Sequence, residues 1–343
     1  MKSKKQNVFK MDFATSLKEN IFQLDINDEY SKIANDFADI QMSQFWTQKD
    51  LKLIEDISET NFTPELVEFL FRVTLFFRSG DNLIIDQILK LFGGETDHGI
   101  KKFVNAQSLI ETIHAESYNI AITKFLPEKE IQRMDSLLAS GDLTNPVIKK
   151  YKYVYDNISN EGLHPGIRIA AAAVSEGIFF CSTFALIFFL KKKDLLRGFV
   201  AMNELIRKDE MLHRNFNIHM LRKNLSEDMV DDIAAKIKEA VEIDIEAARY
   251  CMEVYNDPNF LIEDMISYIK HLANQIFMLT SPLFNDHHYT EVKPDFKLWW
   301  IDEITQKNNF FENKAHAVYK LTSLKDEGTL AYNIEDLDSG FDE

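Results

Sequence analysis

Apolar residues recur along this chain every three to four positions over long stretches, the spacing that buries one face of an α-helix. One such rhythm starts after Thr63, which reads as an N-cap with proline at the first helical position, and runs to Phe92 before two glycines end it. Pro127 and Pro146 open two further segments in the same way, and others cover roughly residues 100–125, 166–191, 195–223, 226–255 and 259–280. No repeat with a period of about 20–50 residues is visible, and no Gly/Ser- or Pro-rich linker divides the chain. The pattern predicts an all-α protein with one helical domain over residues 1–320 and a different kind of segment over 321–343.

One stretch departs from the one-faced pattern. Residues 169–190, IAAAAVSEGIFFCSTFALIFFL, are apolar all round, with Glu176 as their only charge. That length could cross a bilayer, but a lone carboxylate mid-span costs roughly 2.5–3.5 kcal/mol and no second comparable segment exists. The reading that fits is a helix buried on every side of a bundle, with no membrane involved. Glu176 then needs a partner inside the protein.

Composition narrows the class further. With 11 Gly and 7 Pro in 343 residues and 45% hydrophobic side chains, long helices are favoured over a sandwich of short strands. Only Cys181 and Cys251 are present, both in apolar stretches, and the start MKSKKQNVF has no apolar signal core, which points to a reducing cytoplasm. A net charge of −16 would repel a phosphate backbone, so no nucleic acid is expected as a partner. Part of that charge sits in the last residues, KDEGTLAYNIEDLDSGFDE, where apolar side chains are scattered singly among acids. Such a tail is either a solubilising terminus or a peptide that orders on a partner, with Leu337 and Phe341 as anchors.

The candidate chemistry lies in Glu-x-x-His, a weak pattern taken singly. It occurs at Glu95/His98, Glu111/His114, Glu161/His164 and Glu210/His213. The first and third are glycine-flanked and read as loops. The second and fourth lie within continuous helical patterns, where residues three apart share a side. Two further acids are flanked by apolar residues, Asp81 in FFRSGDNLII and Glu176. Four carboxylates in one interior cannot all ionise unaided, because burial penalises each charge and like neighbours raise one another's pKa. Two divalent cations would balance them. Hard oxygen plus imidazole nitrogen, with no thiolate, suits iron or manganese better than zinc or copper, and helix bundles build di-iron sites from such a set.

The segments IETIHAESY, AVSEGIFFCSTFALIFFLKKK, NELIRKDEMLH, QFWTQKD and NNFFENK resemble the small, radical-generating subunit of class I ribonucleotide reductase, over roughly residues 35–320. The resemblance implies a ferritin-like helical bundle that dimerises. It implies two metal ions per chain, iron foremost with manganese as the alternative, held by Asp81, Glu111, His114, Glu176, Glu210 and His213. It further implies that Tyr118, one helical turn beyond His114, is oxidised to a stable radical after the metals react with oxygen or a reduced oxygen species. Phe180, Phe184 and Ile206 would pack over the site. Trp46 and Asp209 would link His114 to a radical path toward a separate large, catalytic subunit, with Tyr319, or else Tyr332, as the tail tyrosine, and the acidic tail would dock there.

Two departures from the family pattern stand out: Lys208 where arginine is usual, and an Asp81-to-Glu111 interval one residue short, which leaves the ligand set intact if the loss falls in GGETDHG. Two alternatives remain at this point. One is a related di-metal oxidase acting on its own bound substrate; the other is an iron-storage or purely structural bundle.

Overall fold

A computed structural model describes residues 28–292, apart from 51–52, 96, 255–256 and 258–259. Among the described residues every regular element is helical. The helices are α1 (Glu29–Ser43), α2 (Leu53–Glu59), α3 (Pro64–Thr74), α4 (Gly80–Phe92), α5 (His98–Phe125), α6 (Glu128–Ser140), α7 (Pro146–Ile158), α8 (Pro165–Val174), α9 (Cys181–Lys192), α10 (Arg197–Lys223), α11 (Val230–Met252) and α12 (Ile262–Thr280). Helices α4, α5, α8–α9 and α10 carry the candidate ligands. Helix α1 packs along α5 and α10, while α7, α11 and α12 close the other side.

Local signals explain most boundaries. Thr63 caps α3 by accepting the Leu66 N–H at 3.3 Å, with Pro64 at its first turn. His98 and His164 lie at the starts of helices. Asp97 caps α5 through Ile100 N–H, and His164 caps α8 by accepting Gly166 N–H on Nδ1. Neither histidine enters the interior cage.

The rhythm from Thr63 to Phe92 is not one helix. It breaks over residues 75–79, where Ser79 takes a non-helical conformation and α4 restarts at Gly80. A break inside a protein leaves orphan backbone groups. The Tyr151 hydroxyl of α7 sits among them, its one proton shared between the Leu75 and Phe76 carbonyls at 2.8 and 2.7 Å and its oxygen accepting the Ser79 N–H at 3.3 Å. The restart puts Asp81 in the first turn of α4, fully buried.

The apolar stretch around Glu176 is also interrupted. Helices α8 and α9 are joined by a π-helical segment, Ser175–Phe180, which contains Glu176. A wider turn shifts the phase of the residues after it, and such turns leave carbonyls off register. The Phe179 carbonyl is taken up by Thr183 Oγ1 at 2.7 Å and Lys150 Nζ at 3.3 Å, and Lys150 pairs with Asp244 of α11 at 2.5 Å. Gly177 is required here, since a Cβ would lie 2.5 and 2.8 Å from Arg214 Cδ and Cγ. The 18-residue apolar window of this helix is wholly enclosed by other helices, as expected of a core element.

Helices α1 and α2 are not legible from apolar spacing. The buried side of α1 is Ser31, Ala34, Ala38 and Gln41, a helical stripe of small and polar side chains. The expected boundary between residues 320 and 321 lies outside the described residues.

Candidate metal centre

Four separate places in the chain converge. Asp81, Glu111, His114, Glu210 and His213 are fully buried, and Glu176 is 1% exposed. Ligand atoms of Asp81, Glu111, His114 and Glu210 lie within 4.8 Å of one another, as do those of Glu111, Glu176, Glu210 and His213. The two sets share Glu111 and Glu210.

Both imidazoles turn Nδ1 inward. His114 Nδ1 lies 3.2 Å from Glu111 Oε2 and 3.0 Å from Glu210 Oε1. His213 Nδ1 lies 2.9 Å from Glu111 Oε1 and 3.2 Å from Glu210 Oε2. Nε2 faces outward in each: His114 Nε2 meets Asp209 Oδ2 at 3.2 Å, and His213 Nε2 meets Gln41 Oε1 at 2.9 Å. An outward N–H held by a carboxylate or amide oxygen fixes the tautomer that frees Nδ1 for a metal. Gln41 also donates from Nε2 to Asp209 Oδ1 at 2.8 Å, so one α1 amide ties both outward contacts together.

The electrostatics are those of an acidic interior. Burial, then the charge of Glu111, pushes the Asp81 carboxyl well above the usual range, and burial, then Glu210, does the same to Glu176. Glu210 moves the opposite way. Burial opposes its ionisation, but hydrogen bonds with Glu176, His114 and His213 hold its carboxyl low. Burial also opposes charge on the histidines, and the surrounding acids override it. Contacts with Asp209, Glu111 and Glu210 raise His114 well above its ordinary value, and Glu111 and Glu210 raise His213 to about 9. The shifts of Asp81, Glu176, His114 and His213 all run toward holding protons, which a pair of divalent ions would displace.

The residues fit such a pair. Both oxygens of Asp81 and Oε2 of Glu176 are buried without a hydrogen-bond partner, an expensive condition that a hard cation would relieve.

Around the cage, Trp46 stacks on His114 with ring centres 5.7 Å apart and donates from Nε1 to Asp209 Oδ2 at 2.8 Å. Tyr118 is fully buried, with its ring stacked on Phe77 at 4.1 Å. Phe77 in turn lies 5.7 Å from Phe180 and 5.5 Å from Phe184. Ile206 is fully buried on α10. Burial lowers the Lys208 ammonium, and Asp209 acts against that shift. Tyr319 and Tyr332 lie outside the described residues.

Sequence reasoning missed four neighbours of the cage. Besides Gln41 these are Gln107, whose Nε2 donates to Glu176 Oε1 at 3.3 Å, Asn203, which accepts from the Tyr118 hydroxyl at 2.7 Å, and Phe77. Gln107 stands one turn before Glu111 and Asn203 two turns before Glu210, while Phe77 lies in the break that precedes Asp81. For Gln107 and Asn203, a polar residue at helical spacing from a ligand was the available signal.

The fold and the cage define a ferritin-like helical bundle with a di-metal carboxylate site. The model of the family "Ribonucleotide reductase, small chain" matches residues 24–294, and the chain belongs to that family. The ribonucleoside-diphosphate reductase small chain of Schizosaccharomyces pombe is 31% identical over 283 residues, 79% of this chain and 68% of that one. The ribonucleotide reductase R2 subunit from Clostridium botulinum superposes with a TM-score of 0.69 at 20% identity, covering 80% of this chain and 88% of that one. The ribonucleotide reductase Rnr4 homodimer from Saccharomyces cerevisiae gives a TM-score of 0.65 at 20% identity over 81% and 87%. An oxidase acting alone on its own bound substrate is not favoured.

Proposed function

We propose that the chain serves as the radical-generating small subunit of a ribonucleoside-diphosphate reductase through the six-residue cage. Asp81, Glu111, His114 and Glu210 would hold one metal ion, and Glu111, Glu176, Glu210 and His213 would hold the other. The observation that carries this reading is the pair of overlapping ligand sets sharing two carboxylates, with Tyr118 one turn beyond a ligand. When bound, the metal pair supplies the oxidising power gained from oxygen or a reduced oxygen species. Iron is the first candidate and manganese the second, since the oxygen and nitrogen donors accept both.

The chain's own residues prepare the rest. Glu111 and Glu210 would be shared by both ions, and Asp209 and Gln41 hold the imidazoles with Nδ1 inward. Phe77 covers one face of the Tyr118 ring and is itself backed by Phe180 and Phe184, and the full burial of Tyr118 excludes water and reductants from an oxidised phenol. Trp46, Asp209 and His114 form a continuous polar path leading away from the cage. In this reading the path continues through Tyr319 to a large catalytic subunit, with residues 321–343 as the docking peptide and a second copy of the chain completing a homodimer in the cytoplasm.

Paramagnetic resonance on iron- or manganese-loaded protein exposed to oxidant tests the proposal. A tyrosyl signal present in the wild-type protein and absent from Tyr118→Phe is expected. The same signal persisting in Tyr118→Phe would overturn it.

A further inference from the structure

The hydroxyl of Tyr118 is directed at an amide. It donates to Asn203 Oδ1 at 2.7 Å, and both residues are fully buried. That amide is itself held from behind, because Asn203 Nδ2 donates to the Phe199 carbonyl, one turn earlier on α10, at 2.8 Å. Phe199 is anchored in turn. Its N–H bonds to Asp56 Oδ2 of α2 at 2.7 Å, Gly198 N–H bonds to Oδ1 at 2.8 Å, and its ring packs edge-on against Phe125. Turning the Asn203 amide over would break the bond to Phe199 and set two acceptor oxygens against each other. The amide is therefore locked with its oxygen toward the phenol.

We infer that Asn203 is a positioning residue that fixes the Tyr118 O–H and favours the intact phenol over its radical. The inference rests on the reading of Tyr118 as the radical site. Oxidation removes one electron, which passes to the metal oxidant, and breaks the O–H bond. The proton must go to an oxygen base on the metal side, because an amide oxygen accepts hydrogen bonds but is too weak a base to take it. What remains is a phenoxyl oxygen that can only accept, opposite an amide oxygen that can only accept. The hydrogen bond belongs to the reduced state alone, and Asn203 sets how readily Tyr118 gives up its hydrogen and how strongly the radical draws one back.

Two measurements test this, the first without metal. In metal-free protein carrying ring-labelled tyrosine, the Tyr118 C–O stretch is isolated by subtracting the infrared spectrum of Y118F. The band is expected to shift in N203L, which keeps the side chain's shape and removes the acceptor, with N203S used where N203L does not fold. An unshifted band overturns the inference.

The second measurement uses loaded protein and electron–nuclear double resonance in light and heavy water. The wild-type radical is expected to show no exchangeable proton hydrogen-bonded to its oxygen, and N203D, whose carboxylic acid can donate back, is expected to gain one. In N203L the radical should resist reduction by hydroxylamine about tenfold longer, because the phenol it would return to has lost its acceptor. An exchangeable coupling in the wild type that vanishes in N203L would show the amide donating to the radical and would overturn the inference. Absence of any radical in loaded wild-type protein overturns the Tyr118 assignment and this inference with it, whereas the infrared band reports on the hydrogen bond by itself.

Discussion

Replacing Gln41 by leucine removes two buried hydrogen bonds with one change of nearly constant volume. His213 Nε2–H loses its acceptor at 2.9 Å, and Asp209 Oδ1 loses its donor at 2.8 Å. Each orphaned group costs about 1–3 kcal/mol, so folding stability should fall by about 2–4 kcal/mol after the added apolar contact is credited. The effect on metal binding should be lopsided. His213 belongs to the set with Glu176, whereas His114 keeps Asp209 Oδ2 at 3.2 Å and Trp46 keeps the same oxygen at 2.8 Å. Loss of such an outward contact typically weakens a metal site by about 10–100-fold, or ~1.4–2.8 kcal/mol. Stepwise chelator competition on the loaded protein should therefore show one ion released about 10–100-fold more readily and the other held nearly as before. Equal weakening of both ions, or no weakening of either, would refute the idea that Gln41 orients His213.

Other consequences follow from single contacts. Gly177→Ala forces a Cβ into the stem of Arg214, which is 2% exposed and adjacent to His213, and should cost about 1–3 kcal/mol in urea denaturation; unchanged stability would contradict the close approach. Lys150→Met strands Asp244, fully buried, and should cost about 3–5 kcal/mol, whereas the Lys150→Met/Asp244→Leu pair should recover much of that loss. His219 is driven down to about 4, by burial first, with Arg222 and Lys223 adding to it. Its folded value lies below the unfolded value of 6.5, so its contribution is intact above that pH and is lost as pH falls from there through 4. His219→Gln should accordingly lose about 2 kcal/mol less stability than wild type between pH ~7 and ~4.5, and parallel losses would contradict the shift.

The sequence showed the long helices and the cage acids because each left a strong local mark. Glu111/His114 and Glu210/His213 combine a ligand pair with helical rhythm, and Glu176 is a lone charge in an apolar run. The break before Asp81 and the π-helical turn at Glu176 left no such mark. Both depend on partners far away in the chain, Tyr151 capping the first and Lys150 and Thr183 the second, so an apolar rhythm reads straight across them. Helix α1 was invisible for a different reason. It buries alanine, serine and glutamine because it lies close against α5 and α10 and supplies a hydrogen bond to the cage. Asn203 shares helical spacing with Glu210, but its role depends on the Tyr118 hydroxyl from another helix, which spacing alone does not place beside it.

The central claim is that six side chains from four places in the chain gather two metal ions. Anomalous scattering from crystals of the metal-loaded protein tests it most directly. Two peaks are expected, one among Asp81, Glu111, His114 and Glu210 and one among Glu111, Glu176, Glu210 and His213, with both histidines ligating through Nδ1. A single peak, no peak, or Asp81 or Glu176 turned out of the cage would contradict the account.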